Sequence, residues 1–360
     1  MKRYEGNPTV VSGAGAVTAL QELGAKRLLV VTDPYFFENG TAQRIAALSG
    51  AEQVEYFPEI APDPSVELAA RGTAVVKSFA PEAIVALGGG SAMDCAKAMV
   101  YFSGSDAKFA AIPTTSGSGS EVTDFAILTH KGVKHPLVDR RLRPQLAILD
   151  SDLLEQMPKK LIADTGFDVL THALEAFVAT DSTMITDALA KEAFGVTFAR
   201  LPASYGGNRA VRLDIHTAAT MAGMAFTQAG LGLCHAMAHC LGGRFHVPHG
   251  RLNAILLPAV IDCNTHGAED KYAAIAAGAG ILGSAKSVAV RNLKNGLVRL
   301  RRELDMPDSL AAAGVDTRQV RREEGALVEA VLSDPCCKTN PVKVEGFMVR
   351  RILEQVTGRG

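Results

Sequence analysis

The chain has 360 residues, too many for one small core; at about 150 residues per domain, two domains are expected. Hydrophobic residues make up 48% and charged residues 21%, with a mean hydropathy of +0.13, which excludes a disordered chain. Thirty-seven basic against 38 acidic residues leave a net charge of -1, so there is no long-range field to recruit nucleic acid or an anionic membrane surface.

Residues 1–6 are followed by no apolar stretch of the secretory kind. Six cysteines, with Cys336 and Cys337 adjacent, form no CxxC pair, and reduced thiols in a cytoplasmic enzyme are the expectation. In chain order, residues 27–33, 53–57, 83–87, 109–112 and 146–150 read as strands, with a helix over 92–102. Continuous apolar strands separated by helices imply a parallel sheet covered on both faces. From 153 onward the spacing of apolar residues is helical and no strand is apparent. The plainest helices are 163–179, 187–200, 214–229, 234–241 and 287–304. We therefore expect an α/β domain over 1–152 and an all-helical domain over 153–360. The stretch 215–243 contains no Asp, Glu, Lys or Arg. Its His216, Gln228, His235 and His239 suit buried helices around a polar site better than a membrane span.

Two loops stand where strands become helices or turns. Gly88-Gly89-Gly90-Ser91 precedes the helix that carries Asp94, and residues 113–121 are crowded with hydroxyls and glycines. Glycines admit a ligand close to the backbone, and a helix N-terminus offers N–H groups to phosphate. Tight turns with no ligand are the alternative, and two such loops at neighbouring strand ends favour the phosphate. Asp33 ends the first expected strand. It could bind a ribose diol and repel a 2′-phosphate, or simply cap the turn at Pro34.

Asp168 and His172 stand four apart in one expected helix, His235 and His239 four apart in another, and His249 follows. Such pairs project from one helix face. A single histidine there would be a hydrogen-bonded core residue, but this many need something to pair them when buried. A divalent metal does so. One carboxylate among imidazoles suits Fe2+, Zn2+, Co2+ or Mn2+ and disfavours Mg2+ and Ca2+. Cys234 and Cys240 read as small packing residues, and His246 as either a neighbour of the site or exposed.

Together these residues resemble the iron-dependent (group III) alcohol dehydrogenase family. The matching stretches are 88–94, 112–123, 146–150, 166–176 and 230–258, with Thr339-Asn340-Pro341 near the end. Within the family the likeness is greatest to the short 1-propanol dehydrogenases of propanediol utilisation. The resemblance implies the dehydroquinate synthase-like plan of a dinucleotide-binding α/β domain followed by an all-α domain. It implies Asp168, His172, His235 and His249 as ligands of the metal, iron first and zinc second. It makes His239 a catalytic residue that moves the proton. Asp33, Gly89, Gly90, Ser91, Asp94, Thr114, Ser118 and Lys134 would contact NAD(H). Asp63 stands where many relatives carry Asn, at a further cofactor contact. Phe125 would line a more apolar substrate pocket than a diol-specific relative has. The implied reaction interconverts a short primary alcohol and its aldehyde by hydride transfer, in a homodimer that could reside in a bacterial microcompartment. The rivals are a glycerol- or diol-type dehydrogenase, a dehydroquinate synthase-like lyase, and a non-catalytic metal-binding relative.

Overall fold

The computed structural model describes residue 6 and residues 8–131 and 133–358. The chain divides into two compact units, Gly6–Met157 and a second from Pro158 onward.

The first unit is built on eight strands: β1 (Thr9–Gly13), β2 (Arg27–Thr32), β3 (Gln53–Phe57), β4 (Ala83–Gly88), β5 (Lys108–Pro113), β6 (Phe125–His130), β7 (Val133–Val138) and β8 (Leu146–Asp150). Six of them form a sheet in the order β1-β8-β5-β4-β2-β3, parallel throughout. Helices α1 (Pro34–Glu38), α2 (Thr41–Leu48), α3 (Val66–Phe79) and α4 (Gly90–Ser103) join the strands. Alternate residues of each strand serve opposite faces. Leu29, Val31, Ile84, Ala86, Phe109 and Ala111 pack in one core, with Ala96 and Met99 of α4. Leu28, Val30, Val85, Leu87, Ala110 and Ile112 pack in the other, with Ile45 of α2. Burial on both faces is why these strands are continuously apolar.

All five expected strands are present. The sixth, β1, lies at the edge against β8 and mixes exposed with partly buried residues, so it lacks the apolar run of the interior strands. The antiparallel hairpin β6–β7 was also unexpected. Its second strand contains Pro136, opposite Ile127, and proline argues against an interior strand. From β2 the chain crosses to β3 on one side and then to β4 on the other. The sheet therefore has a switch point between β2 and β4, and in such sheets ligands bind beyond the carboxyl ends at that place.

The second unit is helical: α5 (Lys159–Val178), α6 (Met184–Tyr205), α7 (Arg212–Ala229), α8 (Leu233–Phe245), α9 (His249–Gly278), α10 (Lys286–Glu303), α11 (Thr317–Arg322), α12 (Glu324–Ser333) and α13 (Gly346–Val356). Helix α5 packs against α6, α7 and α9 and is buried from Gly166 to Val178 without a break. A helix enclosed on all sides is apolar all round. The polar residues it carries, Asp168, His172 and Glu175, are consequently taken into the interior. The long α9 was not expected as one element. Pro258 lies inside it, and its backbone departs from helical geometry at Ala268. Among the described residues no helix is long and apolar enough to cross a membrane.

Candidate active site

In the helical unit, the one-turn spacing on α5 and α8 and the first residue of α9 bring Asp168, His172, His235 and His249 together. Three histidine nitrogens surround one carboxylate oxygen. Asp168 Oδ1 is 3.5 Å from His249 Nε2, 3.8 Å from His235 Nε2 and 3.9 Å from His172 Nδ1. Those distances exceed a hydrogen bond but suit atoms sharing a central cation. Asp168, His235 and His249 each offer one atom within 4.8 Å of the others. His172 stands beside this trio, its ring stacked on His235 at 4.5 Å and on Phe226 at 4.4 Å. Close packing of α9 on α5 sets the position of His249: any side chain at Gly250 would collide with the Asp164 carbonyl, and Arg251 forms a two-pronged pair with the Asp164 carboxylate.

Partners outside the reach of sequence spacing orient these ligand atoms. Asn253 donates to Asp168 Oδ1 at 2.8 Å. Glu175, one turn beyond His172 on α5, lies 2.6 Å from His235 Nδ1. It also accepts the backbone N–H groups of Gly232, Cys234 and His235. One carboxylate thus satisfies the N-terminus of α8 and turns the imidazole so that Nε2 faces Asp168. Asn340 completes the cap by accepting from Leu233 N and donates to Asn264. Gly232 is required here, because a Cβ would come within 2.8 Å of both Glu175 Oε1 and Asn340 Oδ1.

The residues fit a divalent cation. His235 Nε2 is buried and has no hydrogen-bond partner, a costly condition unless something else binds it. The electrostatics point the same way. Burial would lower His235, but the Asp168 and Glu175 carboxylates lift it to about 9, so the site attracts positive charge. Burial also works against an ionised Asp168, yet the surrounding imidazoles hold its carboxyl well below the usual range. Burial, aided by the neighbouring imidazoles and opposed by Asp168, pushes His249 well down. Asp168 and His249 are thus already in the deprotonated state a metal requires, and His235 would give up its proton when a cation takes its place.

His239 lies one turn along α8 from His235, its ring stacked on that of His249 at 5.3 Å. Its Nδ1 is 3.0 Å from Asp334 Oδ2. His246 is exposed and ends α8 with φ of 55°. Cys234 is buried with its thiol toward Asn253 and Cys240 faces the Leu327 carbonyl, so both serve packing.

In the α/β unit, Asp33 directly follows β2 and Gly88 ends β4 at the switch point. Asp33 Oδ1 caps α1 by accepting from Phe36 N at 3.1 Å, while Oδ2 lies 3.6 Å from where a Cβ on Gly88 would stand. Capping and ligand binding are therefore compatible, since one oxygen is left for each. Burial raises its pKa against the pull of the Phe36 and Tyr35 amides. Gly89 precedes α4, whose N-terminus no side chain caps. The two loops touch: a Cβ on Gly89 would be 3.3 Å from Thr115 Oγ1, and one on Gly90 would be 3.2 Å from Ser118 Cβ. Thr114 N donates to the Gly88 carbonyl, and Ser118 Oγ accepts from Ser120 N. Ser91 lies in the first turn of α4.

The other expected contacts are engaged by the protein. Asp63, in the left-handed region at φ 56°, pairs with Lys134 at 2.7 Å. Asp94 accepts from Ser120 Oγ at 2.8 Å and from Ile127 N at 3.1 Å, so its carboxylate ties α4 to the second loop and to β6. Beneath it Lys97, fully buried, donates to Ser120 Oγ, Thr123 Oγ1 and the Phe125 carbonyl. The Phe125 ring lies 5.8 Å from the Lys97 ammonium. Lys97 was not singled out in the sequence, although a lysine one turn from Asp94 on a mostly apolar helix was a visible signal.

The model of the iron-containing alcohol dehydrogenases matches residues 7–151, and that of the C-terminal part of the Fe-containing alcohol dehydrogenase family matches 162–357. The chain is 38% identical to 1-propanol dehydrogenase PduQ of Citrobacter freundii, over 99% of this chain and 100% of the relative. It is 35% identical to an NADPH-dependent butanol dehydrogenase of Clostridium saccharobutylicum, over 99% and 98%. A sulfoacetaldehyde reductase from Bifidobacterium kashiwanohense, solved with NAD+, superposes with a TM-score of 0.90 at 26% identity, covering all of both chains. With both units matched end to end, the chain belongs to the iron-containing alcohol dehydrogenase family.

Proposed function

We propose that this enzyme interconverts a short primary alcohol, of the propanol kind, and its aldehyde, using NAD(H) and a divalent metal. The single observation that carries the reading is the convergence of His235 and His249 on Asp168 around a buried, unpartnered Nε2. Asp168, His172, His235 and His249 would hold the metal. A bound cation of this kind polarises a carbonyl or acidifies a hydroxyl, and the nicotinamide supplies or accepts the hydride. Glu175 and Asn253 keep the ligand atoms aimed. His239 moves the hydroxyl proton.

On the cofactor side, the uncapped start of α4 at Gly89, Gly90 and Ser91 would receive the pyrophosphate. Thr114 and Ser118, on the adjoining loop, would line the same face. Asp33 would accept from the ribose diol, which favours NAD(H) over a 2′-phosphorylated dinucleotide. Asp94 would act by holding the second loop, and the Asp63–Lys134 pair would border the site. Phe125 would contribute an apolar wall. The same resemblance supports a cytoplasmic homodimer enclosed in a microcompartment, which co-purification with shell proteins would test.

Protein purified without oxygen, stripped by chelator and reloaded with Fe2+ or Zn2+, should oxidise NADH with propanal only when metal is present. Turnover unchanged by stripping would overturn the reading. Faster turnover with a diol or hydroxyaldehyde than with propanal would favour the diol-type alternative.

A further inference from the structure

Two histidines one turn apart on α8 are each held at Nδ1 by a carboxylate, yet their surroundings differ. His235 and Glu175 are sealed, with side chains 1% and 4% exposed. His239 and Asp334 keep 22% and 15%. The sealed pair suits a fixed ligand, and the accessible pair leaves the His239 ring within reach of solvent.

Asp334 is itself firmly placed. It starts the 3₁₀ turn Pro335–Thr339, and its Oδ1 accepts from Cys336 N at 2.8 Å. The other oxygen is thereby left for His239 Nδ1. Burial opposes its charge, but the hydrogen bond and charge of His239 hold its pKa below the ordinary value, so it remains a carboxylate. On its other side the His239 ring lies against His249 with an interplanar angle of 16°. The ring is therefore fixed at two places.

We propose that Asp334 is the positioning residue that makes His239 the proton carrier. By accepting the Nδ1–H it selects the tautomer and fixes the ring plane, so that Nε2 is the nitrogen that gives or takes the proton. The inference rests on the alcohol dehydrogenase reading. In aldehyde reduction the hydride of NADH forms the new C–H bond and the carbonyl π pair moves onto oxygen. The Nε2 proton of His239 then joins that oxygen. Alcohol and NAD+ leave, and the neutral imidazole regains one proton from solvent. Asp334 keeps its charge throughout and touches no reacting atom.

Asp334→Asn is the informative variant, because asparagine caps a turn as well as aspartate but cannot be a charged acceptor. With metal-loaded protein, propanal and NADH, kcat should fall about a hundredfold, within the range general acid–base groups contribute. KM for NADH and metal content should stay within twofold. The solvent deuterium isotope effect on kcat should rise as the proton step becomes limiting. Formate should restore part of the rate to Asp334→Ala. In the Zn2+-loaded, 15N-histidine-labelled protein, the His239 signals should report Nδ1–H in the wild type and a changed tautomer ratio in Asp334→Asn. A kcat within twofold of wild type, or an isotope effect and tautomer ratio that do not move, would overturn the proposal. Wild-type protein with no metal-dependent activity would instead overturn the function on which it stands.

Discussion

Each unit buries a charged cluster in an apolar setting, and the two clusters are satisfied in opposite ways. In the α/β unit the Lys97 ammonium donates three bonds of 2.8 to 2.9 Å. Asp94 has a donor on each oxygen, and Ser120 links the two charges. In the helical unit three imidazole nitrogens stand 3.5 to 3.9 Å from Asp168, and His235 Nε2 has no hydrogen-bond partner. Charge burial alone therefore does not mark a ligand site. A saturated cluster holds the fold, whereas one that leaves a buried ligand atom such as His235 Nε2 without a hydrogen bond is arranged for something beside it.

The sharpest way to break this contrast is to remove a converging ligand. His235→Ala should abolish tight metal binding and lower kcat/KM by on the order of a thousandfold, since a Lewis-acid metal contributes several kcal/mol. The fold should survive with some loss of stability, because Glu175 loses His235 Nδ1 but still accepts the backbone N–H groups of Gly232, Cys234 and residue 235. Metal analysis beside thermal unfolding checks both halves. Full metal content in the variant would place the centre elsewhere.

The saturated cluster should respond in the reverse manner. Lys97→Met leaves the partly buried Asp94 without its compensating charge and strips the buried partners of the Lys97 ammonium, and should cost about 3 kcal/mol of stability, as breaking a buried pair does, with little loss of metal. Denaturant unfolding measures it. The pH dependence has a definite sign. Burial, against the pull of Asp94, lowers Lys97 from 10.5 to about 8. Between those values the unfolded chain holds a proton that the folded chain has released, so this group makes stability rise with pH. Wild type measured against Lys97→Met should gain up to about 1.4 kcal/mol per pH unit in that window. A flat difference would show that Lys97 keeps its proton in the fold.

The Asp168/His172 and His235/His239 pairs were readable because i, i+4 spacing is local and helix geometry alone puts each pair on one face, whereas the proposed ligand set of Asp168, His172, His235 and His249 came from the family resemblance. Strands β2, β4, β5 and β8 were readable because burial on both faces leaves an apolar run, and β3 by its alternation of polar and apolar residues at the sheet edge. The carboxylates that aim the histidines were not. Glu175 and His235 lie 60 positions apart, and His239 and Asp334 lie 95 apart, so only packing reveals the pairs. The β6–β7 hairpin was hidden by Pro136 and β1 by its exposure at the edge. Asp94 was expected from the resemblance to contact the cofactor; within the protein its oxygens accept from Ser120 Oγ and Ile127 N, partners that no local spacing announces.

Glu175→Gln sharpens the contrast within the helical unit. The glutamine retains a carbonyl for the α8 amides but presents a weaker acceptor to His235 Nδ1. Metal affinity should fall by about 10- to 100-fold, the usual effect of losing a partner that orients a ligand. Competition with a chromogenic chelator measures this directly. Unchanged affinity would reduce Glu175 to a helix cap.

The smallest effect expected is at Asp33, where the cofactor edge is read from one carboxylate. Oδ1 caps α1, and Asp33→Ser retains a capping oxygen, so stability should hardly change. What disappears is the negative charge near Gly88 at the switch point. A 2′-phosphate would then meet no repulsion, and a ribose diol would lose one acceptor. The ratio of kcat/KM for NADH over NADPH should fall by about tenfold, equivalent to 1.4 kcal/mol. The butanol dehydrogenase relative is NADPH-dependent by name, so the family fold accommodates either dinucleotide and the choice must lie in local residues. If the ratio does not move, the ribose is held away from Asp33, and that residue serves only as the cap of α1.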